Sequence, residues 1–229
     1  GRIVLVDGDY VERRNIPVAG FEKNDIGLPK VLATKNAVAR RFGARIKVRT
    51  IPKFTHQIED SLFTKPDLVV VGVDDIQTRI ALAAIRNESG KATIFLGFSG
   101  FQGSYLLTIP GKTSCWACIG RPSDESVSRV VAALKREGKC PPPEKTNPSP
   151  ILPATVLKLV GVASMEIIKL ILDKGNKIQY YCFDLMEGWV DVRFLDSDSY
   201  LKPDPECPVC NPPRGRDLAE IAGEKRIGA

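Results

Sequence analysis

Four of the six cysteines fall in two matched pairs, Cys115-Trp-Ala-Cys118 and Cys207-Pro-Val-Cys210. Each C-x-x-C pair can turn two thiolates toward one ion, and two pairs complete the tetrahedral sulfur set that zinc accepts. An iron–sulfur cluster or a redox dithiol would use the same side chain, but paired knuckles in a chain with an ordinary core favour zinc. A closed four-sulfur site keeps no open position for water or substrate, so the expected role is structural. With 88 residues between Cys118 and Cys207, the ion would staple distant segments. A second set of chemical groups is acidic. Asp7 and Asp9 follow Ile3-Val4-Leu5-Val6, and Asp74 and Asp75 follow Leu68 to Val73. Asp at such positions can simply start loops or cap helices. Cys140 opens a stretch to Pro150 that holds five prolines, and by residue type alone it is equally a loop cysteine or a nucleophile. The single histidine, His56, would be the only base available to a triad mechanism and is expected at the surface.

The elements that must position these groups alternate. Ile3 to Val6 is a short β-branched run read as a buried strand. Lys30 to Phe42 reads as a helix closed by Gly43, and Ile46 to Ile51 as a strand. Leu68 to Val73 predicts a further strand, Gln77 to Asn87 a helix, and Thr93 to Leu96 another strand. Ser126 to Arg136 predicts a short helix, and Ile151 to Leu172 a long one packed on the sheet. Ile178 to Phe183 and Val190 to Leu195 are strand-like, with Cys182 expected in the core. Alternation at this spacing predicts an α/β fold with a mainly parallel sheet, whose ligand crevice lies beyond the carboxyl ends of the strands, where Asp7, Asp9, Asp74 and Asp75 all fall.

Composition narrows the function classes. The 229 residues, 43% hydrophobic and 26% charged, suit one globular unit rather than a disordered or fibrous chain. Net charge is +6, but the Lys and Arg form no dense tract or basic–aromatic ladder, so nucleic acid is not the expected partner. No apolar run approaches a membrane span and no signal-peptide pattern opens the chain, so a cytoplasmic location is expected.

The segment from Asp7 to Lys30 resembles the signature of the ThiF, MoeB and ubiquitin-activating-enzyme superfamily. It supplies Asp7, Asp9, Val11, Glu12, Asn15, Gly27 and Lys30, and the likeness continues through Val73-Asp74-Asp75 to Arg79, both cysteine pairs, and Gly161-Val-Ala-Ser-Met-Glu166-Ile-Ile-Lys169. Leu134-Lys-Arg-Glu-Gly-Lys-Cys140 is similar to the small activating enzymes of the ubiquitin-fold-modifier type near their catalytic cysteine. The resemblance implies a Rossmann-like adenylation domain over 1–210, with zinc knuckles, a crossover loop carrying the cysteine at about 119–150, and a basic peripheral tail at 211–229.

The implied chemistry is ATP-dependent adenylation of the C-terminal glycine of a ubiquitin-like protein. Asp7 would hold ribose hydroxyls with Asp9 beside it. Asn15 and Lys30 would address the phosphates, Asp74 would carry magnesium, and Cys140 would take the modifier as a thioester for a conjugating enzyme. A homodimer is implied as well. Two departures stand out. The phosphate-contacting Arg that follows the family's Asn is replaced by Ile-Pro-Val18-Ala19, and the first strand, glycine loop and helix of the family do not precede Gly1. The departures keep two alternatives open: a MoeB- or ThiF-like adenylyltransferase of a sulfur carrier, and a non-enzymatic half of a heterodimeric pair.

Overall fold

The computed structural model describes residues 1–137, 140–142, 150–195, 197, 198 and 200–211. Most of the expected proline loop and the basic tail after Asn211 lie outside them. The chain divides into two compact units, Gly1–Ile58 and a larger one that begins at Glu59.

In the first unit, β1 (Ile3–Val6) pairs in parallel with β2 (Val48–Ile51), in register from Ile3 with Val48 to Val6 with Ile51. The crossover between them holds the single turn α1 (Ile16–Ala19) and α2 (Lys30–Phe42). Helix α2 matches its predicted bounds because Pro29 delivers an extended chain into it and Gly43, at φ 66°, takes the left-handed half of backbone space where a side chain would be strained. Val31 and Ala33 form its buried side, and Arg40 and Arg41 in the last turn oppose the negative end of the helix dipole.

The second unit runs α3 (Ser61–Thr64), β3 (Val69–Val71), α4 (Ile76–Glu88), β4 (Thr93–Ser99), β5 (Gln102–Thr108), α5 (Trp116–Gly120), α6 (Asp124–Glu137), α7 (Pro153–Leu172), β6 (Ile178–Asp184) and β7 (Val190–Phe194). Its sheet has the order β3-β4-β5-β6-β7. The α/β class is as expected, with helices flanking strands that include parallel pairs. The expectation of a mainly parallel sheet holds only for β1–β2 and β3–β4; the other three pairs are antiparallel. Two of those three pairs involve β5, which has no counterpart in the sequence reading. Gly100, at φ 56°, lets the chain reverse within two residues after Ser99, so β4 and β5 form a hairpin instead of a crossover.

Helix α7 covers one face of this sheet. Leu159 and Ala163 pack on Ile94, Tyr105, Leu107, Tyr181 and Phe183, and Leu159 and Phe183 are fully buried. Truncating Leu159 to alanine removes about 3 kcal/mol by transfer and cavity terms. Buried Glu166 fixes the far end of the helix: Oε2 accepts the Ile178 N–H at 2.8 Å, and Oε1 accepts from Lys169 Nζ at 2.7 Å. Cys182 is half-buried rather than core, because strand alternation turns Tyr181 and Phe183 toward α7 and Cys182 to the opposite side, across from Asp191.

On α4, Arg86 is 1% exposed. Its guanidinium donates to the carbonyls of Phe63, Pro66, Asp67 and Ala92 and to Thr93 Oγ1, tying α4 to the loops that enter β3 and β4. Burial pushes its pKa down, partly opposed by Asp67. Among the described residues no helix is long and apolar enough to cross a membrane.

Candidate functional site

The first unit gathers three of the predicted side chains. A cleft of about 320 Å³ is lined by Leu5, Val6, Asp7, Asn15, Ala19, Phe21, Lys30, Val31 and Thr34. Asp7 leaves the carboxyl end of β1 and folds back so that its Oδ1 accepts the Asp9 N–H at 2.8 Å. Asn15 Oδ1 accepts the Glu12 N–H at 2.8 Å, which fixes the amide at the end of a helical turn. The 9–30 loop is closed by Val11 N–H to Leu28 O at 2.8 Å, Gly27 N–H to Val11 O at 2.9 Å and Lys30 N–H to Asp9 O at 2.9 Å. Gly27 sits at φ 84°, which accounts for a glycine at that point of the motif. Lys30 Nζ lies 2.7 Å from Asp9 Oδ2, so Asp9 holds the ammonium at the cleft rather than lining it. A larger cleft of about 480 Å³, lined by Arg2, Lys35, Lys47 and Arg49 around Val38, Ala39, Ile46 and Val48, contains none of the predicted residues.

The second unit places Asp74 exposed beyond the end of β3. Asp75 is buried and caps α4, its Oδ2 accepting the Thr78 N–H at 2.6 Å. Arg79, one turn on, is buried as well; its guanidinium donates to Leu96 O, and its Cζ stands 5.7 Å from the Trp116 ring centroid.

The four predicted cysteines meet. Sulfur separations are 3.8 Å for Cys115–Cys118, 3.7 Å for Cys115–Cys207 and 3.5 Å for Cys118–Cys210, and all four lie within 4.8 Å of one another. A tetrahedron with zinc–sulfur bonds of about 2.3 Å has edges near 3.8 Å, so the cluster fits that ion. None of the cysteines is in a disulfide. Hydrogen bonds among the four thiols pull Cys118 and Cys207 down and push Cys115 and Cys210 up, as expected of thiols that share protons within one cluster. The first knuckle is the start of α5. The second is brought to it by a clamp: fully buried Gln179 bonds both the N–H and the carbonyl of Leu201, and Ser114 N–H donates to Leu201 O at 2.9 Å. Neither Gln179 nor Arg86 was singled out in the sequence, because polar residues inside strand and helix runs carry no local sign of burial.

Cys140 is 3% exposed, with Sγ 3.7 Å from Thr78 Oγ1 and 3.4 Å from Pro141 O. Burial pushes its thiol up to about 12; the Thr78 hydrogen bond opposes the shift, and the charges of Asp75 and Asp60 add to it. The neighbouring Lys139 lies outside the described residues.

A family model described as the ThiF family matches residues 1–208, across the first cysteine pair and as far as Cys207 of the second. The chain belongs to the ThiF family. Among curated relatives, this ThiF-family chain is 27% identical over 222 residues to ubiquitin-like modifier-activating enzyme 5 of Gallus gallus, covering 90% of the chain and 52% of that protein. It is 28% identical over 220 residues to the Caenorhabditis elegans protein of the same name, at 90% and 49% coverage. The chain thus spans about half the length of these relatives. Among solved structures, E. coli MccB superimposes with a TM-score of 0.68 at 18% identity, over 92% of this chain and 58% of that one, and MccB with ATP with a TM-score of 0.64 at 19%, over 92% and 59%. At that identity the likeness is one of fold.

Proposed function

We propose that this ThiF-family chain is the adenylation domain, over residues 1–210, of an enzyme that activates the C-terminal carboxylate of a ubiquitin-like protein with ATP. The observation that carries the reading is the cleft after β1, where Asp7, Asn15 and Lys30 converge on one 320 Å³ space. Those three groups offer what an ATP-dependent acyl transfer needs: a carboxylate for ribose hydroxyls, an amide donor, and a cation opposite the phosphates as charge moves onto departing pyrophosphate. Lys30 would leave Asp9 or share it when the triphosphate enters. Asp74, exposed at a strand end, suits magnesium, which takes one or two carboxylates and fills its shell with phosphate oxygens and water.

In this reading the modifier's carboxylate attacks the α-phosphorus, pyrophosphate leaves, and the acyl-adenylate passes to the Cys140 sulfur with loss of AMP, before transfer to a conjugating enzyme. Cys140 is a protonated, buried thiol in the conformation described, so attack requires it to leave Thr78 and lose its proton. The cysteine cluster would hold structural zinc, and the assembly would be a homodimer.

The burial of Cys140 favours one competing reading: an adenylyltransferase that serves a sulfur carrier and stops at the adenylate. The experiment that separates them uses the full-length protein with ATP, magnesium and candidate ubiquitin-like proteins ending in glycine. Pyrophosphate exchange and a thiol-sensitive adduct lost in Cys140→Ala support activation with thioester formation. Exchange without an adduct supports the competing reading, and neither signal overturns both.

A further inference from the structure

The cations of the first unit gather where no carboxylate answers them. From Ile26 to Ile58 the chain carries eight of its 33 Lys and Arg and none of its 27 Asp and Glu, so the surplus behind the net charge of +6 sits in this stretch. They form no tract in the sequence, but the fold brings three of them together with Arg2. Arg2 just before β1, Lys35 in mid-α2, Lys47 just before β2 and Arg49 within it all line the 480 Å³ cleft. All four are exposed, and none makes an ion pair among the described residues. The last turn of α2 already has Arg40 and Arg41 to answer its dipole, so these four have no such local role. Like charges around one cleft repel one another, a cost that a partner's carboxylates would relieve.

Between the cations the lining is apolar. Val38 and Ala39 come from α2 and Ile46 and Val48 from the β2 side, and Ile46 is 38% exposed. The charges are spread around that floor rather than aimed at one point. Lys47 and Arg49 stand about 7 Å apart along the strand. Arg2 lies beside Lys47, because the Ile3 N–H donates to the Lys47 carbonyl at 3.1 Å, and Lys35 lines the cleft from the helix. A single phosphate needs donors that converge, and a nucleic acid strand gains from aromatic platforms, but no described lining residue is aromatic. Spaced cations around an apolar floor match a peptide that carries several carboxylates with an apolar side chain among them. The cleft also lies at the opposite end of β1 and α2 from Asp7 and Lys30. Arg2 precedes the strand that Asp7 follows, and Gly43 closes the helix that Lys30 opens, about 18 Å away by helical rise.

We propose that this cleft is a docking site for an acidic, amphipathic segment of a partner protein, whose carboxylates pair with Arg2, Lys35, Lys47 and Arg49 while an apolar side chain settles against Ile46 and Val38. Charge sets the rate of encounter and the orientation of the segment, and the apolar contact slows its departure. The proposal stands apart from the adenylation reading. It needs neither ATP nor Cys140, and a segment docked here leaves the cleft with Asp7 open.

The test uses the full-length protein and a short fluorescein-labelled peptide of alternating Glu and Leu pairs, with binding followed by anisotropy at physiological salt. Saturable binding in the micromolar range is expected. Lys47→Glu with Arg49→Glu should weaken it about tenfold or more, and Arg41→Glu with Lys53→Glu, an equal change of net charge outside the cleft, less than about twofold. Ile46→Ser should weaken it about fivefold while keeping the wild-type salt dependence, which the charge reversals in the cleft should flatten. A peptide with Gln for Glu should not bind, and one with Ser for Leu should bind about tenfold more weakly. Carbodiimide coupling to the wild type should join peptide carboxylates to Lys35 or Lys47, mapped by mass spectrometry, which keeps the test sound if a variant misfolds. Equal losses from the two double variants, coupling to lysines elsewhere, or a Gln peptide that binds as well as the Glu peptide would overturn the proposal. Displacement by inorganic tripolyphosphate together with indifference to Ser for Leu would make the cleft an anion site, and tighter binding of a single-stranded oligonucleotide a nucleic-acid site; either overturns it. So does the absence of peptide binding, as when another segment of the full-length chain or a second copy already fills the cleft. Peptide docking without pyrophosphate exchange would uphold the proposal and sink the adenylation reading alone.

Discussion

The cleft of the first unit and the α4–knuckle region of the second use polar side chains in opposite ways. Around the cleft, Asp7, Asn15 and Lys30 are half-buried and are oriented by bonds to residues two, three and twenty-one positions away. In the second unit Arg79, Arg86, Gln179 and Cys140 are each less than a tenth exposed, and most of their partners come from other elements. In the proposed reading the contrast separates binding from support. Groups that must meet a ligand stay wet and cost little to keep, whereas groups that hold distant segments together are dehydrated and are costly to disturb.

Breaking the buried side should give the largest effects. Cys115→Ser is expected to lose the metal and about 4 kcal/mol of stability, read by elemental analysis and by chemical unfolding. A folded, fully stable variant without metal would make the cluster ornamental. Next is Cys140. With a thiol raised from 9.0 to about 12, its thiolate fraction near pH 8 should be about a thousandfold below that of a free cysteine, and alkylation by iodoacetamide should keep rising beyond pH 10 instead of levelling off. A plateau near pH 9 would mean that the thiol spends its time outside the pocket.

Arg86→Met should cost about 3 kcal/mol in urea unfolding, because four carbonyls and the Thr93 hydroxyl lose a shared donor. Asp75→Ala removes a helix cap and should cost about 1 kcal/mol, while Asp75→Asn, which can still accept the Thr78 N–H, should be close to neutral. On the wet side, Lys30→Ala should change stability by less than about 1 kcal/mol, because its ion pair with Asp9 is solvent-exposed. A large loss of stability there would erase the contrast, whereas loss of pyrophosphate exchange with stability intact would sharpen it.

How much of this was legible in the chain follows the range of the interactions. Helix α2 could be bounded at its end by Gly43, and Asp7, Asn15 and Lys30 could be named together through the family resemblance, whose motif closes on itself within one crossover. The C-x-x-C pairs announced their own chemistry, since sulfur ligand sets need two residues at that spacing. Strand β5 was not legible: the run from Thr93 to Thr108 reads as one apolar stretch unless Gly100 is known to reverse it.

The sequence by itself determined the residue types and the local geometry: the acids after β1 and β3, the glycines that let loops turn, and the two knuckles as ligand pairs. Only the tertiary structure decided that the sheet turns antiparallel after β4, that Gln179 clamps Leu201 so the knuckles meet, that Cys140 is shut away beside Thr78, and that Arg79 is buried against the Trp116 indole and a β4 carbonyl. Local preference follows from neighbouring residues, but burial and charge pairing depend on which distant elements exclude water from the same place, and that is a property of the packed chain.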